Sequence, residues 1–142
     1  MLLDTSVLVA GLLGRHADHL RASTWLLDVK SGKIEAVVSA HTLAEVYAVL
    51  TRLPKPQSSS PATAWQLIEH NILNFVQIIP LTGDEYVDLI RQLSQIGIAG
   101  GATYDAVIAC AAAKAQVDHI VTFNARDFRR VYPSLAASVI VP

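Results

Sequence analysis

The sequence predicts a three-layer α/β/α fold, in which helices cover both faces of a central parallel sheet of four to five strands. Short β-branched apolar segments alternate with longer segments of helical periodicity, an order typical of parallel strands joined by right-handed crossovers. The length of 142 residues is common for one domain. Apolar residues make up 52% of the chain and charged residues 16%, which is enough to build a core. We therefore expect a single domain over residues 1–142.

The N-terminal half contains the first two predicted strands, each followed by helical sequence. Residues 2–3 are an apolar pair that runs into Asp-Thr-Ser, which indicates a buried strand followed by a helix over residues 7–14. Helical spacing continues over residues 25–29 and is expected to end near Gly32. Residues 36–38 predict the second strand, closing at Ser39, and a helix from His41 should end before Pro54.

The C-terminal half continues the alternation. Ser60 and Pro61 supply a helix cap and a first-turn proline after a loop over residues 53–62. Thr82 and Glu85 have the form of a capping box, and Asn124 is expected to cap a short helix. The predicted elements are helices over 61–72, 82–93, 103–116 and 124–131, and strands over 75–79, 119–122 and 139–141.

The composition argues against several classes of protein. The single cysteine, Cys110, rules out an internal disulfide and indicates a reducing compartment. No apolar stretch reaches the roughly 18 residues of a membrane span, and no basic segment precedes the first apolar residues as in a signal peptide. We therefore expect a cytoplasmic protein with no membrane partner. The net charge of −1 gives no overall attraction to nucleic acid, so such a substrate would need a basic patch or a bound metal.

Four acidic residues are candidates for a shared site. Asp4 and Asp127 follow predicted strands, at the edge where open parallel sheets bind ligands. Glu45 and Asp105 lie among apolar residues with no lysine nearby, and burying them is costly unless a cation pairs with them. Hard divalent cations such as Mg²⁺ or Mn²⁺ accept oxygen ligands and relieve the repulsion that raises carboxylate pKa values. These acids therefore predict a metal site, whereas the five scattered histidines do not predict a zinc site.

Three of the acids also have a purely structural interpretation. Asp4 is suited to cap the first helix, and Asp105 to interact with the dipole at a helix start. Asp127 is suited to complete a capping box with Asn124. Glu45 is the hardest to explain structurally, because it is a charge in the middle of a helix between apolar neighbours.

Four segments resemble the motifs of a known family. Residues 2–6 (LLDTS), 42–46 (TLAEV), 104–109 (YDAVIA) and 121–128 (VTFNARDF) are similar to the four motifs of the PIN domain, particularly its VapC-type toxin branch. The resemblance covers nearly the whole chain. It implies a PIN-like fold and a divalent-metal-dependent endoribonuclease, the toxin of a type II toxin-antitoxin system, in which metal-activated water hydrolyses RNA phosphodiester bonds.

The same resemblance implies roles for individual residues. Asp4, Glu45 and Asp105 would form the central acidic triad, with Asp127 as the fourth acid. Family members place an acid at the position of Asn124, of Asp127 or of both, and the neutral Asn124 leaves the occupancy of a second metal position open. The expected auxiliary residues beside the acids are Thr5, Ser6, Thr122 and Asn124.

Basic residues near the last motif are candidates for contacts to RNA phosphates. Arg126, Arg129 and Arg130 flank Asp127, with an ordinary solvated surface as the alternative. His41 precedes Glu45 by one helical turn and is a candidate to contact substrate, with a helix-surface role as the alternative. The resemblance further implies a homodimer and a cognate antitoxin that occupies a groove near the acids.

Two other classes of function remain open. A receiver-like or phosphohydrolase-like domain also gathers aspartates around Mg²⁺, but it needs a nucleophilic Asp in a motif such as Asp-x-Asp. Asp4 is followed by Thr5 and Ser6 instead. A catalytically inactive PIN-like interaction module would keep the fold without needing four acids. Cleavage of RNA would distinguish the nuclease from both.

Overall fold

The computed structural model describes residues 1–54 and 58–142, so the predicted loop over residues 53–62 lies partly outside the described residues. One sheet of five parallel strands has the order β3-β2-β1-β4-β5. The strands are β1 (Leu2–Leu3), β2 (Ala36–Ser39), β3 (Val76–Ile79), β4 (Ile120–Val121) and β5 (Val139–Ile140). In the register, Leu2 of the central strand lies beside Val37 on one side and Ile120 on the other.

Helices connect the strands. In the described residues they are α1 (Thr5–Leu12), α2 (His19–Lys30), α3 (Ala40–Arg52), α4 (Pro61–Ile68), α5 (Gly83–Gln95), α6 (Ala102–Lys114) and α7 (Ala125–Val131). A π-helical turn, Glu69–Leu73, extends α4, and a 3₁₀ turn, Pro133–Ser138, precedes β5. None of the helices in this part of the chain is long and apolar enough to cross a bilayer.

The two faces of the sheet carry separate cores. Successive side chains of a strand point to opposite faces, and the central strand divides them: Leu3 packs with α1 to α4, whereas Leu2 packs against α6 and α7. Val121 and Ile120 of the neighbouring strand repeat this division. Both faces of the sheet are therefore covered by helices, which confirms the predicted α/β/α architecture.

Local capping explains where the helices near the carboxyl edge of the sheet begin. Asp4 directly follows β1, and its side chain accepts a hydrogen bond from the Ser6 N–H at the start of α1. Ser39 ends β2 and caps α3 in the same way through the His41 N–H. At these two adjacent strands the helix begins directly where the strand ends. The first turns of α1 and α3 therefore lie at the same edge of the sheet.

The structure corrects three predicted boundaries. The first helix begins at Thr5 rather than Val7, because Asp4 caps it, and the chain then turns before a separate helix, α2. Gly11 permits the close packing of these two helices, since a Cβ there would lie 2.4 Å from Leu26 Cδ1. The helix predicted over residues 61–72 is α-helical only to Ile68 and ends in the π-helical turn.

Candidate active site

An acidic cleft of about 340 Å³ opens at the carboxyl edge of the sheet. It is formed by the β1–α1 junction, the turn before α2, parts of α3 and α6, and the segment after β4. Its lining residues are Asp4, Thr5, Ser6, Val9, His16, Asp18, Glu45, Val49, Asp105, Ile108, Phe123 and Asn124. Three of the four predicted acids therefore meet in one cleft, and no Lys or Arg is among the described residues that line it.

Asp4 is the most deeply placed acid, with 3% of its surface exposed. Its Oδ2 accepts hydrogen bonds from the Ser6 hydroxyl at 2.6 Å, the Thr122 hydroxyl at 2.7 Å and the Ser6 N–H at 3.3 Å. Its Oδ1 makes no hydrogen bond to the described residues. Asp4 thus caps α1, as the structural interpretation predicted, and still has one oxygen free for a ligand.

Glu45 reaches the cleft from the second turn of α3. Thr5 donates its hydroxyl hydrogen bond to Oε2 at 2.6 Å, and His41 Nε2 lies 3.7 Å from Oε1. That imidazole nitrogen is buried and has no hydrogen-bond partner within the described residues. His41 therefore packs beside Glu45, with its ring partly buried.

Asp105 lies in the first turn of α6 and accepts a hydrogen bond from Asn124 Nδ2 at 3.1 Å. The pKa of Asp105 is raised to about 6, chiefly by burial; the Asn124 hydrogen bond opposes the rise, and the charges of Asp4, Asp127 and Glu45 add to it. The other three predicted acids therefore all act electrostatically on Asp105. Such repulsion is relieved by a cation.

Asn124 and Asp127 have different positions from those expected. Asn124 does not cap α7 with its side chain, because the amide is bonded to Asp105 and the backbone N–H donates to Thr122 Oγ1 at 2.9 Å. The prediction of a capping box between Asn124 and Asp127 is therefore wrong. Asp127 does not line the cleft, and its Oδ1 lies 3.4 Å from Arg130 Nη2.

The predicted RNA-contact residues lie on α7. Arg126, Arg129 and Arg130 are exposed there, outside the lining of the cleft. A different arginine is closer to the cleft wall: the Arg21 guanidinium lies 5.4 Å from the ring centroid of Phe123 and 3.2 Å from Asp18.

The donor atoms of the cleft fit a hard divalent cation. Asp4, Glu45 and Asp105 offer only oxygen, and each uses one carboxylate oxygen in a hydrogen bond to a neighbouring side chain while its other oxygen accepts none from the described residues. Mg²⁺ and Mn²⁺ prefer such ligands. In residues 1–54 and 58–142 no three acidic, histidine or cysteine side chains already form a metal-ligand set, so these acids would have to rotate to hold a cation together.

Sequence reasoning missed two polar residues of the cleft, His16 and Asp18. They reach it from the turn between α1 and α2, and no motif marks them. The only signal was Gly11, a glycine inside an apolar helix, which indicates close approach of another element.

Asn124→Asp is expected to destabilise the cation-free protein by about 1–3 kcal/mol and to increase its stabilisation by Mn²⁺. The change replaces an amide donor to Asp105 by a second carboxylate, and a bound cation reverses that penalty. Thermal unfolding in EDTA and in a Mn²⁺ titration measures both effects. Asn74→Asp is the matched control, because the Asn74 amide donates to a backbone carbonyl, that of Glu69. Equal Mn²⁺ stabilisation of Asn124→Asp and the parent would contradict the prediction.

Fold and cleft together define a three-layer α/β domain with a cluster of acidic residues at the carboxyl edge of its sheet. The family model of the PIN domain matches residues 1–133, and the chain belongs to the PIN domain family. The family predicted from the four motifs is thereby confirmed, and the receiver-like alternative is excluded.

Two curated relatives are similar over most of the chain. Ribonuclease VapC27 of Mycobacterium tuberculosis is 34% identical over 140 residues, which cover 97% of this chain and 93% of the relative. Ribonuclease VapC40 of the same species is 34% identical over 128 residues, which cover 90% of this chain and 87% of the relative.

Solved structures show the same fold. The crystal structure of Mycobacterium tuberculosis VapC20, a Sarcin-Ricin loop cleaving toxin, matches with a TM-score of 0.68 at 17% identity, covering 89% of this chain and 91% of that one. VapBC2 from Rickettsia felis, bound to a DNA fragment from their promoter, matches with a TM-score of 0.63 at 22% identity, covering 99% of this chain and 96% of that one.

Proposed function

We propose that this chain is a VapC-type endoribonuclease that hydrolyses RNA phosphodiester bonds with a divalent cation, and that it is the toxin of a type II toxin-antitoxin pair. The observation that carries the proposal is the meeting of Asp4, Glu45 and Asp105, from three distant segments, in one cleft that no Lys or Arg of the described residues lines. The relatives named ribonucleases, 34% identical over nearly the whole chain, support it.

Asp4, Glu45 and Asp105 would hold the cation, with Asp127 or Asn124 at a second position. Magnesium is the proposed cation, and manganese is an alternative with the same ligand preference. When bound, the cation neutralises charge on the scissile phosphate and acidifies the attacking water.

Hydrogen bonds from neighbouring residues orient each acid before substrate arrives. The Ser6 and Thr122 hydroxyls hold one oxygen of Asp4, and the Thr5 hydroxyl holds one oxygen of Glu45. Asn124 holds Asp105 in the same way. Because the acids are already held in position, their side chains have less far to move when a ligand binds. Groups positioned in advance in this way raise the reaction rate.

Glu45→Gln is expected to reduce RNA cleavage by about 100-fold or more, since even partners of metal ligands contribute 10- to 100-fold. Gln keeps the oxygen that accepts from Thr5 but loses the charge. The measurement is cleavage of a panel of labelled RNAs in Mg²⁺, in Mn²⁺ and in EDTA.

Glu35→Gln is the matched control, because Glu35 is exposed before β2 at the opposite edge of the sheet, and it should cleave like the parent. Cleavage that persists in EDTA would contradict the metal-dependent mechanism. No cleavage of any RNA by the parent would favour the inactive interaction module.

We further propose that an antitoxin covers an apolar groove of about 480 Å³ beside the acidic cleft. The groove is lined by Leu12, Leu13 and Leu53, among others, and shares Val9 and Val49 with the cleft. A protein bound there would lie against the acids and block access to them. Co-purification of the chain with its natural partner, followed by RNA cleavage before and after partner removal, tests this inhibition.

We also propose that the chain forms a homodimer. On α5 and just after it, Val87, Ile90 and Ile96 are each more than half exposed, an apolar surface that a second copy would cover. Sedimentation velocity of the purified chain measures the oligomeric state.

A further inference from the structure

Two aromatic rings stack beside Glu45, one of the acids of the cleft. The ring centroids of His41 and Tyr104 lie 5.1 Å apart with an angle of 18° between the ring planes. His41 is one helical turn before Glu45 on α3, and Tyr104 directly precedes Asp105 on α6. The stacked pair therefore connects the two helices that bring these acids into the cleft.

The two rings differ in exposure. The buried Nε2 of His41 lies 3.7 Å from Glu45 Oε1, so the imidazole is held between the acid and the tyrosine. Tyr104 is 52% exposed although the imidazole covers one face of its ring. The exposed surface of the ring therefore belongs to its other face and its edges, and His41 serves as its backing.

Because the cleft is acidic and RNA is negatively charged, binding of RNA there favours contacts that do not depend on charge. Four acidic side chains and no described Lys or Arg line the cleft, and the chain has a net charge of −1, so Coulomb attraction to the RNA backbone is weak away from a bound cation. Stacking of a base on an aromatic ring does not depend on charge and accepts any base. Unpaired RNA bases are free to stack in this way, whereas paired bases are not.

We propose that Tyr104, backed by His41, is a substrate-positioning residue that stacks on an unpaired RNA base next to the scissile phosphate. This inference rests on the proposed ribonuclease function and adds to it a residue that contacts the substrate. The His41 ring contacts Tyr104 on one side and has its Nε2 3.7 Å from Glu45 Oε1, so a base on the tyrosine lies near the acids.

The test compares the parent with Tyr104→Ala and Tyr104→Phe on a single-stranded RNA that the parent cleaves and on the same RNA annealed to its complement. Tyr104→Ala is expected to raise KM for the single strand about 5- to 150-fold, the value of one stacked base, with kcat changed far less. Tyr104→Phe keeps the ring and should match the parent. Tyr47→Ala removes another partly exposed tyrosine, which has no stacked aromatic partner among the described residues, and should also match it.

A second readout reports stacking itself. In the cleavage-deficient Glu45→Gln background, 2-aminopurine is placed at each position of the same RNA in turn, and its fluorescence should be quenched at one position by the protein with Tyr104 or Phe but not with Ala. Urea unfolding midpoints of the variants establish that they are folded.

The outcomes separate the two proposals. If the parent cleaves RNA and Tyr104→Ala has the same KM, the stacking inference is overturned while the nuclease stands, even if that variant has lost affinity for a protein partner. Equal cleavage of the single strand and the annealed duplex also overturns it. If the parent neither cleaves nor binds RNA, both proposals fail.

Discussion

Asp4→Asn is expected to reduce RNA cleavage by more than about 100-fold while the protein remains folded. Replacing the partner of a metal ligand alone costs about 10- to 100-fold, and Asp4 is the acid with the most contacts to neighbouring site residues. The amide oxygen of Asn can take over the three hydrogen bonds that Oδ2 accepts from Ser6 and Thr122. The amide nitrogen then replaces the free Oδ1, so the position loses its charge and a ligand oxygen but keeps the cap of α1.

The measurement is the single-turnover cleavage rate in Mg²⁺ together with the urea unfolding midpoint. Asp118→Asn is the matched control, because Asp118 is exposed just before β4, at the opposite edge of the sheet, and it should leave both quantities unchanged. An Asp4→Asn protein that is folded and cleaves at the parent's rate would show that Asp4 is only a helix cap.

Asp105→Asn is expected to abolish cleavage to the same extent but to stabilise the cation-free protein by about 1–3 kcal/mol at pH 8. The pKa of Asp105 in the folded protein is about 6, raised from 3.8. Because the folded state holds this proton more tightly than the unfolded chain, its stabilising contribution is full below pH 4 and is lost as the pH rises through 6. Asn removes the charge that burial and the neighbouring acids disfavour, and its carbonyl oxygen can still accept from Asn124.

Urea unfolding in EDTA at pH 4.5, 6 and 8 measures the difference between Asp105→Asn and the parent, which should grow with pH. A Mn²⁺ titration should then stabilise the parent more than the variant. A variant less stable than the parent at pH 8 would mean that Asp105 is a structural residue rather than a ligand held at a cost in stability.

The surroundings of these two acids differ. Asp4 Oδ2 accepts from two hydroxyls and an N–H, and hydrogen bonds to a carboxylate favour its charged form. Asp105 accepts one hydrogen bond and lies near three other acids. The charged form of Asp4 is therefore stabilised by its neighbours, whereas the charged form of Asp105 costs stability until a cation binds.

Local signals in the sequence determined most of the fold. The Thr82–Glu85 capping box forms as predicted, with both of its hydrogen bonds present, because all of its atoms lie within four residues. Ser60 caps α4 with Pro61 in its first turn for the same reason. Strand positions were predictable because both faces of a parallel sheet are buried, so its strands are short continuous apolar segments.

The sequence by itself also determined the family and three acids that line the cleft. Asp4 was identified because it follows a strand, at the edge where open parallel sheets bind ligands. Glu45 and Asp105 were identified because a charge among apolar residues needs a partner, and the chain offers no nearby lysine for either. Parallel strands then bring such residues to one edge whatever the details of packing.

Only the tertiary structure decided which groups contact these acids. Asn124 bonds to Asp105, 19 residues away, rather than capping its own helix, because a buried carboxylate is a stronger acceptor than a helix end that water can reach. The His41–Tyr104 stack joins two helices that are distant in the chain. Such pairings depend on how packed helices are placed relative to one another. No local periodicity or motif encodes that placement.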